Sequence, residues 1–188
     1  MTRSFTDAPV AAGVVDRVLA AGDRAPSAGN TSGWAWLVLE GAEQTARYWD
    51  VTLPADRREG FPWPGLLAAP VLVVPLCRPE AWPERYAEAD KARTGLGEGT
   101  EAWGAPYWWI DTAMAVMLVQ LAAIDAGLGV CFFGQFDHEP AVGQAFGVPD
   151  GWRALGTLAL GHPAPDRPST SASRPGPTTE SRTHRGGW

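Results

Sequence analysis

Cysteine and histidine are scarce in this sequence of 188 residues, which has two of the first and three of the second. No histidine stands at a metal-ligand spacing, and Cys77 and Cys131 do not form a CxxC pair, so the residues offer no metal site. Both cysteines lie in apolar, strand-like runs, where a free thiol behaves as a small hydrophobe. Two buried thiols in a cytoplasmic protein are therefore expected, rather than a disulfide. There is no Gly-x-Ser-x-Gly, and no Gly-x-Gly-x-x-Gly after a strand, which removes the hydrolase and dinucleotide-fold readings. Gly95-x-Gly97-x-Gly99 lacks the strand-to-helix context. Positive charge is also in short supply: the formal net charge is −6, which argues against a nucleic-acid partner. No apolar run reaches the ~18 residues of a membrane span. Met1-Thr2-Arg3-Ser4-Phe5 has no signal-peptide core either, so no membrane partner is expected.

What the sequence does have is tryptophan, ten of them, and enough length for one domain with a substantial core. Large aromatics serve cores and interfaces first, and flat ligands second. The most unusual stretch is Arg24-Ala25-Pro26-Ser27-Ala28-Gly29-Asn30-Thr31-Ser32-Gly33-Trp34. It is longer and richer in donors and acceptors than a plain helix-to-strand connection needs. Pro26 fixes one backbone angle, and Gly29 and Gly33 permit close approach or a left-handed bend.

Around this loop the periodicity predicts a helix over 10–21 ended by Gly22, and a strand over 36–39. A helix follows over 42–50, then a proline-rich irregular segment, a helical turn over 66–69 and a buried strand over 71–76. Residues 78–105 give no clear pattern and read as either a solvated loop or a lid. The longest helix spans 107–126 and is apolar on all faces, which requires burial in a core or a subunit interface. A strand over 130–133, a short helix over 138–146 and a last strand over 153–161 complete the pattern. From His162 onward Pro, Ser, Thr, Gly and Arg dominate.

The loop Pro26-Ser27-Ala28-Gly29-Asn30-Thr31-Ser32-Gly33-Trp34 resembles the Pro-Ser-x-x-Asn-x-Gln-Pro-Trp signature of the nitroreductase family of FMN-dependent oxidoreductases, with Ser32-Gly33 in place of Gln-Pro. A second match follows in order, Gly127-Leu128-Gly129, a short strand, then Gly134-Gln135-Phe136-Asp137. Arg3-Ser4-Phe5 resembles the end of the family's N-terminal Arg-x-Ser-x-Arg/Lys-x-Phe motif.

This resemblance implies an α+β fold: a three-layer α/β/α sandwich around a mostly antiparallel sheet. Residues 1–161 would form the FMN-binding domain, and 162–188 an extended C-terminal arm exchanged in a homodimer. Pro26, Ser27, Ala28 and Asn30 would lie along the flavin edge, with Phe132, Phe133 and Gly134 against one face and N5. Asp111 falls where the family often carries a polar group reaching the partner's flavin, a helix-capping or fold role being the other reading. Many members supply an Asn and a Lys before the strand at 71, and Pro62-Trp63-Pro64-Gly65 holds neither. The part of the N-terminal motif that contacts the phosphate has no counterpart after Met1. The phosphate would then fall to Arg174, with Arg182 and Arg185 in reserve, and Arg3 would serve the ring or ribityl end.

The implied activity is ping-pong transfer of hydride from NAD(P)H through FMN to an electron-poor acceptor, a nitroaromatic, quinone or flavin. Catalysis would rest on orienting the ring rather than on an essential side chain. A flavin-binding or carrier protein with little turnover, and a family dehydrogenase acting on a specialised metabolite, are the alternatives.

Overall fold

The computed structural model describes residues 1–188, apart from the side chains of Thr170 and Ala172. The molecule is organised around β2 (Val71–Cys77), every residue of which is buried. Its side chains alternate between two helical layers, as strand geometry requires. Leu72, Val74 and Leu76 face one core with Leu39, Tyr48, Trp49 and Val142, whereas Val71 and Val73 face another with Val15, Val18, Val116 and Val119. The first core lies under helices α2 (Gly41–Thr52) and α6 (Glu139–Phe146), the second under α1 (Val14–Gly22) and α5 (Tyr107–Asp125). The chain is thus a three-layer α/β/α sandwich, as the resemblance implied.

All strand pairs are antiparallel. β1 (Trp34–Glu40) covers one edge of β2, β5 (Thr157–Gly161) the other, and β3 (Gly129–Phe133) pairs with β5 on its far side. The sequence reads as one strand over 153–161, but the structure breaks it into β4 (Arg153–Ala154) and β5. The break lies opposite Pro75, whose carbonyl accepts from the Leu155 amide at 2.9 Å and whose ring nitrogen has no hydrogen to return. Gly156, at φ 152°, takes up the bend directly against the Phe133 carbonyl, where a Cβ would lie 2.6 Å from that oxygen.

Two further expectations change. The helix α1 begins at Val14 rather than at residue 10, after Gly13 at φ 73°; it ends at Gly22 as expected, and Trp36 and Val119 close on that glycine, where a Cβ would meet the indole at 2.7 Å. The helix α5 is not buried on every side of this chain: Asp111, Thr112, Ala115, Val116, Val119 and Ala123 are buried. Ile110, Met117, Leu121 and Ile124 are exposed, at 41–59% of their surface. The helix runs for 19 residues, and an 18-residue window of it has a mean hydropathy of 1.4, long and apolar enough to cross a membrane by those measures alone. Asp111 and Gln120 interrupt its apolar run, which is why no uninterrupted run of that length appears in the sequence. Here the helix packs its Ala115–Ala123 side on the sheet.

A short helix, α3 (Ala55–Arg58), precedes β2; between β2 and α5, residues 78–105 form α4 (Ala81–Tyr86) and three single 3₁₀ turns rather than a free loop. The N-terminal arm runs beside the chain leaving β5. The Thr6 amide donates to His162 O at 2.9 Å, and the Ala164 amide to Ser4 O at 2.9 Å.

Candidate functional site

The sequence-predicted residues fall into two groups. The first is the loop after α1. Ser27 Oγ accepts from the Ser32 amide at 3.0 Å, and Ser27 O from the Asn30 amide at 3.0 Å, so the serine staples both ends of the turn. Gly29, Asn30 and Ser32 have φ of 65°, 57° and 49°, in the left-handed region that glycine and asparagine tolerate best. Two outside side chains hold this turn by hydrogen bonds. Asp111 Oδ2 accepts from the Ala28 amide and from Trp82 Nε1, each at 2.8 Å, and Arg85 Nε donates to Gly29 O at 2.9 Å. Asp111 is only 1% exposed, so in this chain its carboxylate ties α5, α4 and the loop together, which is the fold role. Gly29 lies against the Tyr86 ring, where a Cβ would stand 2.6 Å from Cε2.

The second group surrounds a cavity of about 340 Å³ between α2 and the end of β3. Arg3, Phe132, Phe133 and Gly134 line it, together with Tyr48, Trp49, Phe61, Trp63 and Gln135. The walls are largely aromatic; Trp49 and Phe133 stack with centroids 5.8 Å apart and planes at 15°. At one side the Tyr48 hydroxyl and Thr157 Oγ1 share a hydrogen bond of 2.7 Å, and Gln135 Nε2 donates to Thr157 Oγ1 at 3.0 Å. Burial pushes the Tyr48 hydroxyl up to about 12. Gln135 Oε1 and Trp49 Nε1 are buried with no hydrogen-bond partner among the described residues. A groove of about 730 Å³ adjoins the cavity, sharing Arg3, Phe61 and Trp63 and adding Asp166 and Arg167.

Two guanidinium groups lie on one indole in that groove: Arg3 Cζ is 4.8 Å and Arg167 Cζ 4.9 Å from the Trp63 ring centre. Arg167 also donates to the Pro62 carbonyl. Arg3 is thus held at the cavity mouth. Arg174, Arg182 and Arg185 are exposed and line neither the cavity nor the groove.

None of Pro26, Ser27, Ala28 and Asn30 lines the cavity or the groove. The loop is tied to the α5 layer, and the cavity opens beside α2. Within one chain, the two predicted groups are therefore not brought together.

Sequence reasoning missed Trp63, Arg167, Gln135, Tyr48 and Arg85. Trp63 lies in the stretch that lacks the Asn and Lys, Arg167 lies in a tail where the resemblance points to Arg174 with Arg182 and Arg185 in reserve, and Gln135 lies inside the second motif without a role of its own. No local signal marks Tyr48 and Arg85, because each acts through a contact distant in the chain. Among the described residues, no group of His, Cys, Asp and Glu is arranged to hold a metal.

An antiparallel α/β/α sandwich with an aromatic cavity beside β3 defines the class, and comparison gives the family. The nitroreductase family model matches residues 1–162, and the chain belongs to the nitroreductase family. It is 29% identical, over 187 residues, to a 5,6-dimethylbenzimidazole synthase of Rhodospirillum rubrum, covering 93% of this chain and 82% of that protein. Among solved structures, it superposes on a nitroreductase family protein from Streptococcus pneumoniae with a TM-score of 0.74, at 18% identity over 98% of this chain and 94% of that one. An FMN-dependent nitroreductase from Clostridium difficile gives 0.66, at 17% identity over 100% and 94%. These structural likenesses concern the fold.

Proposed function

We propose that this protein is an FMN-dependent oxidoreductase that works as a homodimer, passing reducing equivalents from NAD(P)H to an electron-poor acceptor such as a nitroaromatic, a quinone or a flavin. The observation that carries this reading is the aromatic cavity opening onto the Arg3–Arg167 pair. The residues fit the group: a flat ring needs aromatic walls and few buried charges, and a phosphate needs guanidinium donors at one end. When bound, FMN supplies the two-electron chemistry, accepting a hydride and passing it on.

The chain's own residues bind and orient. Phe132, Phe133 and Trp49 offer apolar faces and exclude water. Arg3 and Arg167 offer positive charge at the mouth. Ser27 and Asn30 present amide and hydroxyl groups on a rigid turn suited to a ring edge carrying both donors and acceptors. Because loop and cavity lie apart in one chain, a site using both takes the loop from a second copy. The exposed stripe Ile110, Met117, Leu121 and Ile124 supports such an interface: its spacing of seven, four and three residues follows one helix face. The C-terminal arm beyond residue 167 has the length and composition to reach across it.

The absorbance spectrum of the purified protein tests the cofactor, and NAD(P)H oxidation with and without an acceptor tests turnover. A colourless protein that takes up no FMN on titration removes the reading. A yellow protein with no acceptor-dependent oxidation leaves a flavin-binding or carrier role. The likeness to the Rhodospirillum rubrum synthase supports a second reading, formation of 5,6-dimethylbenzimidazole. Product analysis for that compound separates the two.

A further inference from the structure

Resting on the reading that Ser27–Asn30 meets the flavin edge, we infer that Arg85, locked by Asp90, is a positioning residue that holds this turn in its binding conformation. The turn needs an external holder. Three of its residues, Gly29, Asn30 and Ser32, sit in left-handed backbone conformations, two of them with a Cβ. Each such non-glycine residue is strained, and persists only when surrounding structure fixes it. The internal bonds from Ser27 fix the ends of the turn but leave the Gly29 carbonyl, at its apex, to be satisfied from outside.

Arg85 does this with one edge of its guanidinium while the other is occupied. Nε donates to Gly29 O at 2.9 Å, and Nη1 and Nη2 donate to the two Asp90 carboxylate oxygens, both at 2.8 Å. Nη1 also reaches Glu88 Oε2 at 3.2 Å. The planar fork fixes the direction of Nε once Asp90 is engaged, so the acid sets the aim and the base delivers it. Tyr86, the next residue, fills the space where Gly29 lacks a side chain, so α4 presses on the turn by packing as well as by hydrogen bonding. With Asp111 holding the Ala28 amide from the other side, the apex is gripped at consecutive residues from two elements. The stretch 78–105, unreadable in the sequence, thus contributes the brace of the loop rather than a free cover.

The test uses the full chain and the variants Arg85→Gln, Arg85→Lys and Asp90→Asn. Amide hydrogen exchange at Ala28, Asn30, Thr31 and Ser32 is measured on protein without added flavin, beside the thermal midpoint. FMN and riboflavin affinities are measured by flavin fluorescence. Arg85→Gln is expected to speed exchange at these four amides by about tenfold, the scale of one lost charge-assisted hydrogen bond, while amides in β2 and β5 stay protected. It is expected to weaken FMN and riboflavin by the same factor, because the effect lies at the ring and not at the phosphate. Arg85→Lys, which keeps a cation but not the fork, should recover part of the loss. Asp90 is exposed, so Asp90→Asn tests the brace even if Arg85→Gln does not fold, and the same local loosening is expected there.

If the four amides exchange at the wild-type rate in the variants that fold, the assignment is overturned. It is equally overturned if they loosen while flavin affinity and reduction rate stay unchanged. A wild-type protein that binds no flavin would instead strike the underlying cofactor reading, and the exchange experiment would still decide whether Arg85 braces the turn.

Discussion

Arg3 and Arg167, separated by nearly the whole folded domain in sequence, rest on the same Trp63 indole, with Cζ atoms 4.8 and 4.9 Å from its centre. Together they bring two positive charges to the groove against the single carboxylate of Asp166, which accepts from the Arg3 and Arg167 amides, so an anion bound there is attracted to both. Arg167→Ala is therefore expected to weaken FMN about tenfold or more while changing riboflavin little, with the difference shrinking at high salt. Arg174→Ala, at the arginine that the family resemblance implies for the phosphate, is the comparison. If Arg174→Ala shows the FMN-specific loss and Arg167→Ala does not, the phosphate lies with the arm and not on Trp63.

Asn30 combines a left-handed backbone with a side-chain amide, and two variants separate these. Asn30→Gly removes the amide and keeps the conformation, whereas Asn30→Ala also adds about 1 kcal/mol of strain. Both should weaken FMN by about 1–3 kcal/mol if the flavin edge is left unpaired. Equal flavin affinity in wild type and Asn30→Gly would return the loop to a purely structural role.

The outer stripe of α5 is open to a direct trial. Met117→Glu or Leu121→Glu places a charge at a half-exposed position that the isolated chain tolerates. Sedimentation should show a dimer for the wild type and a shift to monomer in these variants, with loss of bound FMN following dissociation. A wild-type monomer that carries FMN would contradict both the interface and the two-chain site.

Alkaline pH probes the cavity side chains. Burial holds the Tyr48 hydroxyl near 12, against about 10 when unfolded, so the unfolded chain gives up this proton first. The stabilisation is complete below about pH 10 and is lost as pH rises through about 12, amounting to about 2–3 kcal/mol. Cys77, pushed up to about 12 by the same cause, adds a loss that begins near 9. In Tyr48→Phe the alkaline fall in denaturation midpoint should be shallower, although stability at neutral pH drops because the Thr157 hydroxyl loses one of its two partners. An identical alkaline profile in both proteins would show that Tyr48 ionises freely in the folded state.

Gly33 tests how tightly the loop's exit is packed. A Cβ there would stand 2.5 Å from the Trp82 ring and 2.7 Å from Ala81 Cβ. Gly33→Ala should cost about 1–3 kcal/mol in denaturant unfolding and loosen the Trp82 bond to Asp111. Wild-type stability in this variant would mean that α4 yields easily.

The layers of the fold and the identity of the loop were legible because their signals are local. β2 reads as buried from Val71 to Leu76 by composition alone, and the turn-forming residues Pro26 to Gly33 are contiguous. The division of the last strand was hidden because its cause, Pro75, lies on another strand. Gly22 reads as a helix stop, as it is, but only the fold shows that Trp36 and Val119 also need its missing side chain. The one-sided burial of α5 was likewise out of reach, since an all-round apolar sequence does not say which face meets the same chain. Trp63 as a platform depends on Arg3 and Arg167 arriving from opposite ends, and no window of sequence contains all three.

The pairing of β2 with β5 also sets a timetable for synthesis. On the edge away from β1, Val71–Val73 find their partners in Leu158–Leu160. During translation β2 can pair with β1 as soon as Cys77 clears the ribosome, but its other edge, in the middle of the finished sheet, stays bare until nearly the whole chain has emerged. A β-branched, uncharged strand with an open edge is prone to pair with the wrong chain. Slow elongation between Ala81 and Arg153 prolongs that exposure, so the yield of soluble protein should respond to synonymous codon changes in that interval more than to those after Gly161.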